Sequence, residues 1–421
     1  MTTSTRRSFV IYAMAYAMAG ATPFLLLPVL TQRLTPQEFG EASLFLVFAA
    51  LLGNLAGLNA HGFVAARFYK NAEGEVASTI STSLLTQAAV HGMSLLVLVV
   101  AAHWVAGWFG MRVSFVVLSV PTAMLACVNI MGMAIYQFSG RPWQYFRLRA
   151  AQAMAELALC GLLLLLASSD ASARVWSFIA ATVLVATGTL AHLYRQGWVR
   201  FAWKPEVARD LLRFGLPMLP HVGAGIVVTY ADRLLISNLI GIESAGLYMS
   251  AMQVGMVMLA LVEPLNRALA PWLFRQLSQN DPVMRRQVVV RTYQLFLLLV
   301  MVGLAIALSA WFFFNRLLGP QYEAARSLVP WMVAGYVLQG MYYSVVNYMF
   351  YAEQTARLAM ATGGAALLGL GISFTLIRYF GLPGAGAAFV LNSLALLVIV
   401  WVVAARTVPM PWLLWRHHDP S

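Results

Sequence analysis

An all-α membrane protein of twelve spans is the fold class this sequence predicts, and three observations predict it. First, 61% of the 421 residues are hydrophobic and 10% are charged, against about 45–50% and about 25% in soluble domains. The 27 basic and 15 acidic side chains are too few to coat a soluble body of this size. Second, the apolar residues come in runs of roughly 20, the length an α-helix needs to cross a hydrocarbon core. Third, Lys and Arg concentrate in every second loop, the mark of a chain threaded back and forth through a bilayer.

The runs are 9–30, 42–60, 80–107, 113–136, 150–168 and 175–194, then 216–239, 246–273, 295–314, 328–351, 358–377 and 385–404. They are about twice as long as a barrel strand and do not alternate, so helices are the choice. With the N-terminus on the cytoplasmic side, nineteen Lys and Arg face the cytoplasm. Six face outward: Arg33, Arg112, Arg174, Arg316, Arg326 and Arg378. Arg233 and Arg267 fall within spans. This bias places both termini in the cytoplasm and accounts for the formal net charge of +12 without nucleic acid as a partner. The opening Thr5-Arg6-Arg7-Ser8-Phe9-Val10 resembles a twin-arginine signal, but its apolar run continues to Leu30, too long for a signal core. It reads as an uncleaved first helix. Cys127 and Cys160 lie inside apolar runs without metal-ligand spacing and read as packing residues. No cofactor or metal is expected.

The longest linker, 195–215, divides the spans six and six. It separates an N-terminal lobe, 1–194, from a C-terminal lobe, 216–421, and its Trp198, Trp203 and Lys204 suit an amphipathic tether at the interface. A weak internal repeat agrees. Leu34-Thr35-Pro36-Gln37-Glu38-Phe39-Gly40 leads into span two, and Ile240-Gly241-Ile242-Glu243-Ser244-Ala245-Gly246 leads into span eight. Each is a hydrophobic exit, a short turn with an acid, then a glycine. Two six-span halves in the same orientation make a parallel repeat.

Several segments resemble a known family. They are Phe214-Gly215-Leu216-Pro217-Met218-Leu219-Pro220-His221, Tyr230-Ala231-Asp232-Arg233-Leu234-Leu235-Ile236, Ala245-Gly246-Leu247-Tyr248, and Phe380-Gly381-Leu382-Pro383-Gly384-Ala385-Gly386. Gly57-Leu58-Asn59-Ala60 with Arg67 is similar to the end of that family's second helix. The family is the polysaccharide transporter family, the Wzx-type O-antigen and oligosaccharide flippases of the multidrug/oligosaccharidyl-lipid/polysaccharide (MOP) exporter superfamily. The resemblance implies two six-helix bundles around a V-shaped cavity in the bacterial inner membrane. It also implies transfer of an undecaprenyl-pyrophosphate-linked oligosaccharide from the cytoplasmic to the periplasmic leaflet by alternating access, alongside glycan-assembly proteins.

Ionisable residues at bilayer depth are costly and default to function. Arg233 and Arg267 are candidates for the pyrophosphate, because a guanidinium binds phosphate oxygens bidentately. Arg67 and Arg291, at cytoplasmic helix ends, are candidates for first capture. His221 on span seven and the span-ten stripe of Gln339, Tyr343 and Asn347 offer hydrogen bonds and aromatic surface to a sugar. Glu156, Asp232, Glu263 and His91 are candidates for coupling to H⁺ or Na⁺. Glu156 leads, because no basic residue is near it in sequence and because acids outnumber arginines within the spans. The competing reading is structural, with Glu263 pairing Arg267 at i, i+4 or Arg233, and Asp232 pairing Arg267. A multidrug exporter of the same superfamily, preferring organic cations, is the alternative function. An enzyme is disfavoured by the lack of a large hydrophilic loop or a phosphate-binding or metal motif, and a channel by the lack of a charged ring.

Overall fold

The computed structural model describes residues 3–69, 73–166, 170–200, 202–279 and 281–412. The described residues fall into two compact units, Met1–Gly246 and Leu247–Ser421. That boundary lies within a helix some thirty residues beyond the linker from which the sequence divides the lobes.

The first unit holds α1 (Thr3–Arg33), α2 (Pro36–Ala56), α3 (Ala60–Arg67), α4 (Glu73–Phe109), α5 (Val113–Phe138), α6 (Pro142–Leu166), α7 (Ala171–Arg195), α8 (Pro205–Gly215) and α9 (Leu219–Ile240). Helix α2 starts at a capping box. Thr35 Oγ1 accepts from the Glu38 backbone N–H, Glu38 accepts from the Thr35 N–H at 2.8 Å, and Pro36 supplies the first helical φ. It stops where Leu58 and Asn59 both take positive φ, 51° and 49°, and α3 resumes after this break. The Gly57 carbonyl at the break accepts from the Ala60 N–H at 3.0 Å and from Gln87 Nε2 at 2.8 Å, so the break is satisfied in part from α4.

Linker helix α8 docks into this unit. Val207, Ala208 and Leu211 are buried, and Val207 and Leu211 join a core with Leu58, Phe63, Ile80 and Ile135. Asp210 holds Arg67 at 2.8 Å. The chain leading into α8 is fastened by Arg200 N to Ser81 Oγ (2.9 Å) and Lys204 N to Thr82 Oγ1 (3.1 Å). The linker is therefore a packed part of the first unit, because the apolar face of α8 finds α3 and α4.

The matched corners of the repeat meet each other. A Cβ on Gly40 would collide with the Ile242 carbonyl oxygen, and a Cβ on Gly246 with the Pro36 carbonyl oxygen. Gly40 and Gly246 occupy the same place in the two repeats, as do Pro36 and Ile242, so the contact is reciprocal. Beside it, Glu41 accepts from Arg112 Nε at 3.0 Å and from its backbone N–H at 2.7 Å, while Arg112 also reaches Asp170 at 3.4 Å.

Across the boundary runs α10 (Ile242–Gly255); α11 (Val257–Ser278), α12 (Pro282–Phe312), α13 (Phe314–Leu317), α14 (Val329–Tyr351) and α15 (Thr355–Thr407) complete the second unit. Helices α10 and α11 meet at a bend of 40°. In α15, Gly381 takes φ 60° and ψ −136°, and the helix doubles back. Asn392 Nδ2 donates to Ser373 Oγ at 2.8 Å, which brings its two arms side by side. Only glycine adopts that backbone freely. The core of this unit gathers Leu273, Phe296, Tyr348, Val400 and their neighbours.

Among the described residues, eight helices are long and apolar enough to cross a membrane, or nine if the bent α10–α11 pair is one span. Helix α15 counts once although it contains two arms, and neither α9, which carries Asp232 and Arg233, nor α14, which carries Tyr336, Tyr342, Tyr343, Tyr348 and Tyr351, is among them.

Candidate functional site

The second unit contains an open cavity of about 750 Å³ lined by α11, α12 and α14. Its lining includes Arg291, Asn266, Asn347, Ser344, Thr292 and the amides of Gln276, Gln279, Gln287 and Gln294, together with Trp272 and five leucines. Among the described residues, no carboxylate appears in that lining. At its back, Asn347 Nδ2 donates to Asn266 Oδ1 at 2.7 Å, tying α14 to α11. Arg291 donates to Gln294 at 3.4 Å, and Gln276 Oε1 is buried without a hydrogen-bond partner among the described residues. A cavity with hydrogen-bonding amides and one cation is equipped for hydroxyls and a phosphate.

Of the residues singled out in the sequence, the structure brings Arg291 and Asn347 together in this cavity. It places the others elsewhere. Arg67 is held by Asp210 and lies over the Phe63 ring, 4.4 Å from its centroid. Arg233 pairs with its neighbour Asp232 at 3.2 Å, donates to the Thr229 carbonyl and lies over Tyr230. Arg267 and Glu263 are exposed on α11. Gln339 reaches Ser393 on α15 at 3.5 Å, and the Tyr343 ring lies tilted against Tyr342, 5.7 Å between centroids. His221 belongs to α9, and its side chain lies outside the described residues.

Glu156 does have a basic neighbour, supplied by the fold. Arg174 Nη2 stands 3.4 Å from Glu156 Oε2, with the two side chains 8% and 13% exposed. Gln152 donates to the other Glu156 oxygen at 2.9 Å. The sequence puts Arg174 in an outer loop; the structure puts it in the first turn of α7, where it is buried. The excess of acids over arginines within the spans disappears once Arg174 joins them. His91 differs. Its Nδ1 lies 2.8 Å from the Gln87 carbonyl, which only accepts, so the proton is on Nδ1. That leaves His91 Nε2 buried and unpartnered among the described residues, as are Gln87 Oε1 and Ser83 Oγ on the same face of α4.

Sequence reasoning missed Asn266, Gln276 and Gln287. Helices α10 and α11 are bent against each other, so no single helical phase carries through span eight to Arg267. The residue next to Arg267, turned about 100° around the helix, is the one that faces the cavity. The signal available was the set of glutamines flanking the Arg285–Arg291 segment.

A helical fold with apolar helices and a polar-lined cavity in their midst defines a multi-pass membrane protein of the transporter type. The model of the family described as "Polysaccharide biosynthesis protein" matches residues 5–277, and the chain belongs to that family. An "Uncharacterized membrane protein" of Haemophilus influenzae is 24% identical over 94% of this chain and 96% of its own length. "Amylovoran biosynthesis protein AmsL" of Erwinia amylovora is 29% identical over 33% of this chain and 38% of its own. The fold is similar to an inward-facing multidrug resistance MATE transporter of the MOP superfamily (TM-score 0.73, 13% identity, 94% of each chain). It is also similar to the lipid II flippase MurJ (TM-score 0.69, 10% identity, 95% of this chain and 86% of that one). The resemblance read from the sequence motifs is thereby confirmed as to family and fold.

Proposed function

We propose that this protein translocates an undecaprenyl-pyrophosphate-linked oligosaccharide from the cytoplasmic to the periplasmic leaflet of the bacterial inner membrane. The observation that carries the reading is the amide-rich, carboxylate-free cavity around Arg291 in a chain of a polysaccharide biosynthesis family. A cavity for organic cations would present acids, so the multidrug alternative loses its support. Likeness to a lipid II flippase points the same way.

Twelve spans with both termini cytoplasmic follow if α15 counts as two, the bent α10–α11 pair as one, and α9 and α14 are added. Alternating access needs helices that bend, and Pro23 and Pro28 within α1, Pro264 within α11 and the Gly255 break supply such points. Coupling to H⁺ or Na⁺ falls to His91 rather than Glu156, because Glu156 is taken by Arg174 and Gln152 while His91 Nε2 is an open acceptor. In liposomes carrying a lipid-linked oligosaccharide, Arg291→Ala is expected to slow translocation at least tenfold with the protein still folded. Wild-type protein that fails to translocate the lipid-linked sugar but exports organic cations would reverse the assignment. Under an imposed ion gradient, His91→Ala is expected to remove the gradient's acceleration; an undiminished response in this variant would move coupling elsewhere.

A further inference from the structure

Helix α4 carries polar side chains at five successive fourth positions, Glu75, Thr79, Ser83, Gln87 and His91. Residues spaced by four form one ridge of a helix, and this ridge rises about 24 Å. Its Glu75 end is exposed and lies on the side where the linker is fastened to Ser81 and Thr82. From there inward it is sealed, with Thr79, Ser83, Gln87 and His91 at 2%, 0%, 4% and 1% exposure. In the orientation proposed above, the exposed end is cytoplasmic.

The three innermost groups, Ser83 Oγ, Gln87 Oε1 and His91 Nε2, have no hydrogen-bond partner among the described residues. A buried polar atom without a partner destabilises the fold unless water or an ion satisfies it. Water fits the spacing. Neighbours on the ridge are about 6 Å apart, and one water making two hydrogen bonds of about 2.8 Å spans that gap. Na⁺ does not fit. A hard cation gathers several oxygens around one point, whereas the buried ridge strings a hydroxyl, an amide and an imidazole over about 12 Å, with no carboxylate.

No charged group competes for His91 among the described residues. Helices α2, α3, α5, α8 and α9 pack against α4. Glu41 of α2 holds Arg112, and Glu38 caps its own helix. Arg67 of α3 and Asp210 of α8 hold each other, while His61, Glu206, Arg209 and Arg213 are exposed. Helix α5 brings Cys127, beside the Gly53 carbonyl, and Tyr136, against His192. On α9, Asp232 pairs with Arg233, which lies over Tyr230, and the His221 side chain is outside the described residues.

Resting on the flippase reading above, we propose that this ridge is a water-filled path along which protons pass between the cytoplasm and His91, and that the coupled ion is H⁺. The proton leaves bulk water at Glu75. The Thr79 and Ser83 hydroxyls and the waters between them each accept one proton and pass on another. Gln87 donates through Nε2 to the Gly57 carbonyl, so its amide does not relay; its Oε1 orients the last water. One N–H bond forms at His91 Nε2, while the proton on Nδ1 keeps its bond to the Gln87 carbonyl.

The test exposes the full-length protein in phosphatidylcholine nanodiscs to hydroxyl radicals made from water by X-rays, with oxidation read by mass spectrometry. His91 is expected to be oxidised despite its burial, while Met131 on α5, 0% exposed, stays protected. Ser83→Val, which fills the path, is expected to lower His91 oxidation at least tenfold, and Ser83→Thr to restore it. Ser83→Ala adds no bulk and changes oxidation in the same direction should the valine variant not fold. Thr86→Val, buried off the ridge with its hydroxyl on the Thr82 carbonyl, is the control and is expected to match wild type. In liposomes, a pH gradient but not a Na⁺ gradient is expected to speed translocation, and Ser83→Val to reduce that acceleration at least tenfold. A protected His91 in wild type, undiminished oxidation in the Ser83→Val and Ser83→Ala variants, or acceleration by Na⁺ would each overturn the proposal. Wild-type liposomes that move no lipid-linked sugar would instead overturn the flippase reading, and the oxidation pattern, which needs no substrate, still decides the path.

Discussion

Arg174→Ala is expected to destabilise the protein by about 3–5 kcal/mol, the cost of leaving a buried charge without its partner. Both members of the Arg174–Glu156 pair are nearly sealed from solvent, so neither recovers its hydration when the other is removed. The pair also anchors a chain of polar groups through three helices. Gln152 bridges Glu156 and Asn129, and Asn129 accepts from Thr189 at 3.2 Å. Replacing both partners by apolar residues of similar size, Arg174→Met with Glu156→Leu, is expected to recover most of the loss, because two desolvation costs disappear together. Thermal unfolding in detergent checks both statements. A single variant that melts with wild type would show that the pair does not stabilise the fold, which would restore Glu156 as a candidate for proton coupling.

Gly246→Val is expected to cost roughly 3 kcal/mol, the upper range for overpacking a tight site. The obstacle is the Pro36 carbonyl, backbone that no rotamer change moves aside. The reciprocal Gly40→Val should behave alike, because Gly40 meets the Ile242 carbonyl in the same way. Gly92→Ala on α4, where nothing lies within 4 Å of the added Cβ, is the control and should be neutral to slightly stabilising. Thermal melts of the three variants decide it. Equal melts for Gly246→Val and Gly92→Ala would mean that the two repeat corners do not pack together in the membrane.

The helical membrane class, the family and two residues of the cavity were legible in the chain itself. Apolar length and the distribution of arginines report on the bilayer directly, because every span must satisfy its own backbone and every charge must stay near water. Asn347 was found because it is a polar side chain on an otherwise apolar run, and Arg291 because it is a cation at a cytoplasmic helix end. Arg174 was misplaced by a single residue, since a boundary drawn at Val175 leaves it in the loop. That one position decides whether Glu156 is a solitary acid or half of an ion pair.

Composition and periodicity thus determined what kind of solvent this chain lives in and how its helices are ordered. Which polar groups meet was decided only by tertiary packing. The bend at Gly255 rotates α11 so that Asn266 rather than Arg267 turns toward Asn347, and the return at Gly381 takes Gln339 to Ser393. Pairing of that kind depends on the phase of each helix relative to its neighbours, which no single helix's sequence encodes. Every break in the helix, at Leu58, Gly255 or Gly381, resets it.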